Sequence, residues 1–295
     1  MSRRVEVILG PTSVGKSAYA IKRALEVGSP VISCDSRQIF KEMSIGTAVP
    51  SPEELAAVKH YFIQTVSVKD GYTAGQYEDD ALALVNRLFA EGHDHLIMCG
   101  GSMLYIDAFC YGLDDFPDVP MQMRRHLMDC LESEGVEVLA QQLKEVDPET
   151  YESIDLANGH RIVRALEVSL YTGKPYSSFK THSFKERDFE IVKTGLDMPR
   201  EQLYERINAR VLKMMDAGLE EEARRMLPYR DLPPSRPSAT RSSSTALTAQ
   251  STLTRPCAAS RWTPATTPSA SSPGGAATSL SGGLTFNKGG ERGEQ

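Results

Sequence analysis

The sequence predicts an α/β protein, a parallel sheet flanked by helices, with a helical insertion between two parts of the sheet domain. Three observations predict it. Short apolar runs of strand length alternate with longer stretches of helical period over the first hundred residues or so. The run at 5–9 leads directly into Gly10-Pro11-Thr12-Ser13-Val14-Gly15-Lys16-Ser17, a full match to G-x-x-x-x-G-K-[ST]. From Pro120 to about Gly173 the pattern turns helical throughout.

Each element follows from its own residues. Residues 5–9 read as a buried strand, 16–27 as a helix ending at Gly28, and 30–34 as a second strand, which makes a βαβ unit. A helix is expected from about Thr73 to Ala90, then a strand at 95–99, then Gly100-Gly101-Ser102 opening another helix. In the insertion, Met123-Leu127-Leu131 and Ile162-Ala165-Leu166-Val168-Leu170 mark apolar faces. Strand character returns at 189–196, and 200–227 reads as helix broken at Gly218. The sheet core, P-loop NTPase-like, is therefore expected at 1–119 and 184–232, with the insertion at 120–183. After Leu232, Ser, Thr, Ala, Pro and Gly dominate and no period survives, so 233–295 reads on its own as a disordered tail.

Composition narrows the function classes. No apolar stretch approaches membrane-spanning length, and Met-Ser-Arg-Arg enters the first strand without an apolar signal region. A cytoplasmic protein without membrane association, acting as a monomer, is expected. The five cysteines are scattered without C-x-x-C spacing, which suits reduced thiols and excludes a sequence-evident zinc site. A net charge of −6 argues mildly against nucleic-acid binding if the charge is spread evenly.

The chemistry gathers at strand ends. In residues 10–17 the glycines leave backbone N–H groups free to converge on phosphate oxygens, and the following helix adds positive potential. Lys16 pairs with terminal phosphate oxygens and Ser17 ligates Mg²⁺ in such loops. The motif reports a phosphate ligand without saying which one. Asp35 stands at the end of the second strand, facing the same edge, where a carboxylate can hold Mg²⁺ through water or accept a proton from a nucleophile. Ser36, Arg37 and Gln38 add donors there. Gly100-Gly101-Ser102 forms a second anion-binding terminus, and two such termini at one edge point to a pyrophosphate. In the insertion, Arg161 and Arg164 lie one helical turn apart, with Arg124, Arg125 and Lys174 nearby in sequence. Such a face suits phosphates, although on its own it is more often a solvated surface.

These strings in order resemble the tRNA dimethylallyltransferase family. The resemblance rests on residues 10–17, Ser33-x-Asp35-Ser36 with Ile39-Phe40, Met43-x-Ile45-Gly46-Thr47-Ala48-x-Pro50, Gly100-Gly101-Ser102-Met-Leu-Tyr105, Leu143-x-x-Val146-Asp147-Pro148, Arg161-x-x-Arg164-Ala-Leu-Glu167-Val and Gly173-Lys174. It covers residue 5 to about 232. Ser102 stands where the family often has Thr, which keeps the hydroxyl. The resemblance implies transfer of a dimethylallyl group from dimethylallyl diphosphate to N6 of the adenosine 3′ to the anticodon, in tRNAs reading codons that begin with U. Asp35 and Ser102 would be catalytic, Asp35 as general base. Gly10, Pro11, Thr12, Ser13, Val14, Gly15, Lys16 and Ser17 would hold the diphosphate, with Mg²⁺ on Ser17 and Asp35. The tRNA anticodon stem-loop would meet Asp35, Ser36, Arg37, Gln38, Ser102, Arg124, His160, Arg161, Ile162, Val163 and Arg164. A P-loop small-molecule or nucleotide kinase shares the loop, the Mg²⁺ and the insertion. A non-catalytic RNA-binding remnant is a third reading.

Family members continue past this point with L-Q-T-V-G-Y and end near V-D-T-R-H-Y-A-K-R-Q-L-T-W-W-R-R-D. This chain carries neither string. New codons built from the third base of one residue's codon and the first two of the next permit L-Q-T-V-G-Y from Pro234–Thr240, given AGA for Arg236. The same rule permits the longer string from Arg261–Thr278, and Trp262 forces GAC, its aspartate. A one-base shift near the codons for Leu232 and Pro233 accounts for the tail composition. The product as written is then expected to be weakly active or inactive, and poorly stable.

Overall fold

The computed structural model describes residues 3–181 and 184–229, and the backbone of Gly283–Phe286. The chain divides into two compact units, Met1–Cys110 with Arg187–Gln295, and Tyr111–Glu186. The second unit is wider at both ends than 120–183 because its flanks pair with each other. Lys185 donates its N–H to the Tyr111 carbonyl at 2.8 Å, and the Tyr111 and Phe184 rings meet edge to face.

The first unit is a sheet with strand order β3-β2-β4-β1-β5-β6. Strands β1 (Arg4–Leu9), β2 (Val31–Ser33), β3 (His60–Tyr61), β4 (His95–Cys99) and β5 (Glu190–Leu196) are parallel. Strand β6 (Gly283–Phe286) runs antiparallel to β5. That short strand falls inside the stretch expected to be disordered; β5 offers an open row of backbone groups that can accept one more strand. The rest of 233–295 lies outside the described residues.

Strands β1, β2 and β4 bury both faces, as central parallel strands do, and the period of two sorts their side chains. Val5, Val7, Ile32, Leu96 and Met98 join one core with Tyr77, Leu88 and Phe109, while Ile8, Val31 and Ile97 join the other with Ala20 and Ala24. The second core packs against α1 (Lys16–Val27), which ends on Gly28 at φ 66°. The first packs against α3 (Ala74–Ala90), capped by a reciprocal Thr73–Gln76 box, and α4 (Met103–Tyr111). Helix α2 (Pro52–Ala57) and β3 were not anticipated from sequence. The first carries a readable signal in Ser51-Pro52-Glu53-Glu54, whose Ser51 and Glu54 form a capping box with Pro at the first helical position. Helices α9 (Arg200–Asp216) and α10 (Leu219–Met226) follow β5 and break at Gly218, φ 95°.

The second unit holds α5 (Met121–Glu134), α6 (Val136–Val146), α7 (Pro148–Ser153) and α8 (Gly159–Thr172). Their core is Leu127, Leu139, Leu143, Ile162, Val163, Ala165 and Leu166. Leu170, expected on that apolar face, is instead 45% exposed. Among the described residues no helix is long and apolar enough to cross a membrane.

Candidate active site

The loop after β1 closes tightly on the end of β5. Gly10 has φ 149°, and a Cβ there would sit 2.5 Å from the Leu196 carbonyl oxygen, so no larger residue fits. Ser13 and Gly15 also take positive φ, at 66° and 107°, which turns the chain so that α1 begins at the loop. The first-turn N–H groups of α1 have no partners within the helix. Lys16 folds back so that its Nζ donates to the Gly10 and Pro11 carbonyls, each at 2.8 Å. Ser13 Oγ is buried and finds no hydrogen-bond partner among the described residues, an orphaned donor in the loop.

The ends of β2 and β4 complete the edge. Asp35 Oδ1 accepts the N–H groups of Arg37 at 2.9 Å and Gln38 at 3.3 Å, an Asx turn that orients the carboxylate. Its other oxygen has no partner among the described residues. Gly100 lies against β2 so closely that a Cβ would fall 2.5 Å from the Cys34 carbonyl. That approach places Ser102 Oγ where it accepts the Ser36 N–H at 2.8 Å and meets the Ser36 hydroxyl at 2.9 Å. A Cβ on Gly101 would be 4.0 Å from Lys16 Nζ, so the second glycine-rich terminus borders the first. Gln38 turns away, donating its amide to the Thr47 and Ala48 carbonyls at 3.2 and 2.9 Å, so its side chain serves the loop.

Two arginines on α9 also reach this edge, and the sequence reading missed both. Arg206 Nη1 lies 3.9 Å from where a Gly15 Cβ would be. Arg210 is close enough to Asp35 and Lys16 for the three charges to feel one another. Burial pushes the Arg210 guanidinium down, with Asp35 opposing it. Burial likewise lowers the Lys16 ammonium; Asp35 opposes this and Arg210 adds to it. Two partly desolvated cations beside one carboxylate make a site poised for a polyanion. The signal in sequence was Arg206-Ile-Asn-Ala-Arg210, two arginines at i and i+4 on a helix that follows a strand end at the ligand edge.

Ser17 and Asp35, the residues expected to hold Mg²⁺, would offer it a hydroxyl and a carboxylate oxygen. Among the described residues no three His, Cys, Asp or Glu side chains converge. A cation here would draw its remaining oxygens from phosphate and water, the hard set Mg²⁺ prefers, so these residues fit a metal that arrives with a phosphate ligand.

The residues expected to meet tRNA differ sharply in exposure within the second unit. Ile162 and Val163 are 0% and 2% exposed and pack in the helical core, because α8 turns those two positions inward when Arg161 faces out. Arg124 and Arg164 do not stand free. Arg124 Nε donates to Glu167 Oε2 at 2.6 Å and its Nη2 to Oε1, while Arg164 Nη1 donates to the same Oε1 at 2.5 Å. Glu167 is fully buried. Arg161 is exposed and makes no ion pair among the described residues, and Arg125 and Lys174 are exposed as well. His160 is half-buried at the first turn of α8.

A family model described as IPP transferase matches residues 38–253. The chain belongs to the IPP transferase family. Among relatives, the tRNA dimethylallyltransferase 1 of Phocaeicola vulgatus is 47% identical over 226 residues, 77% of this chain and 75% of that one. The tRNA dimethylallyltransferase 2 of Porphyromonas gingivalis is 49% identical over 226 residues, with the same coverage. Among solved structures, the full-length tRNA isopentenylpyrophosphate transferase of Bacillus halodurans superposes with a TM-score of 0.55 at 30% identity, covering 85% of this chain and 80% of that chain. A eukaryotic dimethylallyltransferase captured acting on tRNA superposes with a TM-score of 0.62 at 25% identity, covering 78% and 57%.

Proposed function

We propose that this member of the IPP transferase family transfers the dimethylallyl group of dimethylallyl diphosphate to N6 of the adenosine 3′ to the anticodon in tRNAs that read codons beginning with U. The observation that carries this is a carboxylate with one free oxygen, Asp35, set between two anion-binding strand ends and beside Lys16 and Arg210. The loop 10–17, Lys16 and Arg210 bind the diphosphate. They stabilise the charge that grows on it as the allylic C–O bond breaks. The adenine leaves its stack to reach the site. As N6 bonds to the allylic carbon, the free oxygen of Asp35 takes the proton the nitrogen loses. The Ser36–Ser102 hydroxyl pair lies beside that carboxylate and offers donors to either substrate. Ser17 would hold Mg²⁺, with Asp35 reaching it through water, and the ion would then neutralise charge on the leaving diphosphate.

In the helical unit, Arg161, Arg125 and Lys174 are the exposed cations that we assign to the phosphate backbone of the anticodon stem-loop. Beyond Leu232 we infer a shifted reading frame. The codon arithmetic that yields L-Q-T-V-G-Y and then V-D-T-R-H-Y-A-K-R-Q-L-T-W-W-R-R-D supports it. Resequencing decides this: one uninterrupted frame that cannot encode those strings would sink the inference.

The activity test uses the frame-restored chain with labelled dimethylallyl diphosphate and unmodified tRNA, run beside ATP with candidate acceptors. Label enters the tRNA, and Asp35→Ala abolishes it. Phosphoryl transfer from ATP without label uptake would show a kinase and refute the proposal. RNA binding without turnover in both the written and the restored chain would show a non-catalytic remnant.

A further inference from the structure

We propose that Glu222, on α10, is a positioning residue for Asp35. Glu222 is 1% exposed, yet its carboxylate is fully engaged by a segment far away in sequence. Its Oε2 accepts the Ser44 N–H at 2.9 Å, the Ser44 hydroxyl at 3.1 Å and the Ile45 N–H at 2.8 Å, and its Oε1 accepts the Gly46 N–H at 2.8 Å. Three successive backbone N–H groups converging on one anion form a nest, and this nest is filled by the protein's own carboxylate. Gly46 allows the approach: a Cβ there would lie 3.2 Å from Glu222 Oε1 and equally close to Leu219 Cδ1. The motif Ile45-Gly46-Thr47-Ala48, to which no chemistry was assigned, is therefore the seat of a clamp.

The clamp reaches Asp35 through one residue. The same turn brings Ala48 to φ 47° and presents the Thr47 and Ala48 carbonyls to the Gln38 amide. The Gln38 side chain thereby fixes the position of the Gln38 backbone. That backbone N–H, with the N–H of Arg37, holds Asp35 Oδ1. A line of charge-assisted and amide hydrogen bonds thus runs from Glu222 to the turn 44–48, on to Gln38 and finally to Asp35. It fixes which carboxylate oxygen is tied up and which stays free. The inference rests on Asp35 being the base; its geometric half, that Glu222 orders the Asp35 turn, does not.

The test separates those halves. In the full chain, amide hydrogen exchange is followed residue by residue for E222Q against the parent. Faster exchange at Ser44, Ile45 and Gly46 that extends to Arg37 and Gln38, with β1 and β4 amides unchanged, supports the proposal; acceleration confined to 44–46, or spread evenly over the sheet, overturns it. In the frame-restored enzyme, kcat of E222Q falls about tenfold or more while KM for the diphosphate changes little, as a misplaced base requires. The same substitution in a D35N background adds no further loss. An equal fractional loss in both backgrounds overturns the positioning role. Should E222Q fail to fold, Q38A cuts the line midway: kcat falls alike while 44–46 stay protected, and an unchanged kcat overturns the proposal. If the parent transfers no label at all, the functional assignment fails, and the exchange result still decides the positioning.

Discussion

Arg124→Ala distinguishes a structural arginine from an RNA-contacting one. Arg124 bonds both oxygens of Glu167, which has no solvent exposure, and Arg164 shares Oε1. Truncation leaves Oε2 of a buried carboxylate without a donor. Removing one partner of a buried pair costs about 3–5 kcal/mol. Arg164 still covers the other oxygen, and the Arg124 side chain is itself 20% exposed, so water can reach the vacated space, which lowers the figure to about 2–4 kcal/mol. For a unit of this size that is a fall in midpoint of roughly 8–30 °C. Native-state hydrogen exchange on α8 is the assay because the chain has two units, and a single global transition is not assured. Amides of Ile162–Ser169 should lose about 30- to 900-fold in protection, the same energy converted at about 1.36 kcal/mol per decade. Arg161→Ala should change protection by less than about 0.5 kcal/mol. It should instead lower the slope of log affinity against log salt for tRNA by about 1. Native protection in Arg124→Ala together with a reduced salt slope would refute the reasoning and return Arg124 to the RNA surface.

Three further outcomes are expected. Arg210→Ala weakens diphosphate binding by about tenfold or more, and Arg210→Lys restores it only in part because a point charge cannot replace the guanidinium fork; isothermal titration with inorganic diphosphate and Mg²⁺ measures both. For Asp147, burial pushes the carboxyl up, but hydrogen bonds from Thr150 and Ser177 outweigh it and hold its pKa below the ordinary value. Its stabilisation is therefore complete above the unfolded pKa of about 3.9 and lost as pH falls through the folded value, so the helical unit should weaken below about pH 4 and Asp147→Asn should flatten that slope in urea midpoints taken across pH. Gly100→Ala drives a methyl to within 2.5 Å of the Cys34 carbonyl, where backbone cannot yield; a loss of about 1–3 kcal/mol in denaturant stability, with a larger drop in transfer activity than in stability, is the expected result.

Local signals carried much of the fold. The helix at 16–27 and the strand at 95–99 match α1 and β4 residue for residue, because a glycine stop and a short apolar run are decided by neighbours in sequence. β3 was missed because a two-residue strand has no period to read. In the site, the loop, Asp35 and Gly100-Gly101-Ser102 were legible since each sits where a strand ends. Arg206 and Arg210 were not, because their approach to the loop is set by how α9 packs after β5. Ile162 and Val163 were drawn into the contact set by their place inside an arginine motif, although their spacing with Leu166 already marked an inward face. Glu222 reads as one acidic residue among three in the first turn of α10, and only the tertiary structure shows which of them is buried.

Arg187 stands where the chain comes back to the sheet unit, and its guanidinium is almost wholly enclosed. Nε donates to the Phe109 carbonyl at 2.8 Å, and Nη2 to the Ala108 carbonyl and to Glu78, each at 3.0 Å. The point of departure and the point of return are thus fastened to each other inside the sheet unit itself. Everything from Tyr111 to Glu186 is a detour that begins and ends at one knot. An ancestral or engineered chain could lengthen, shorten or exchange that detour without redrawing the sheet, and the residue such variation would have to spare is Arg187.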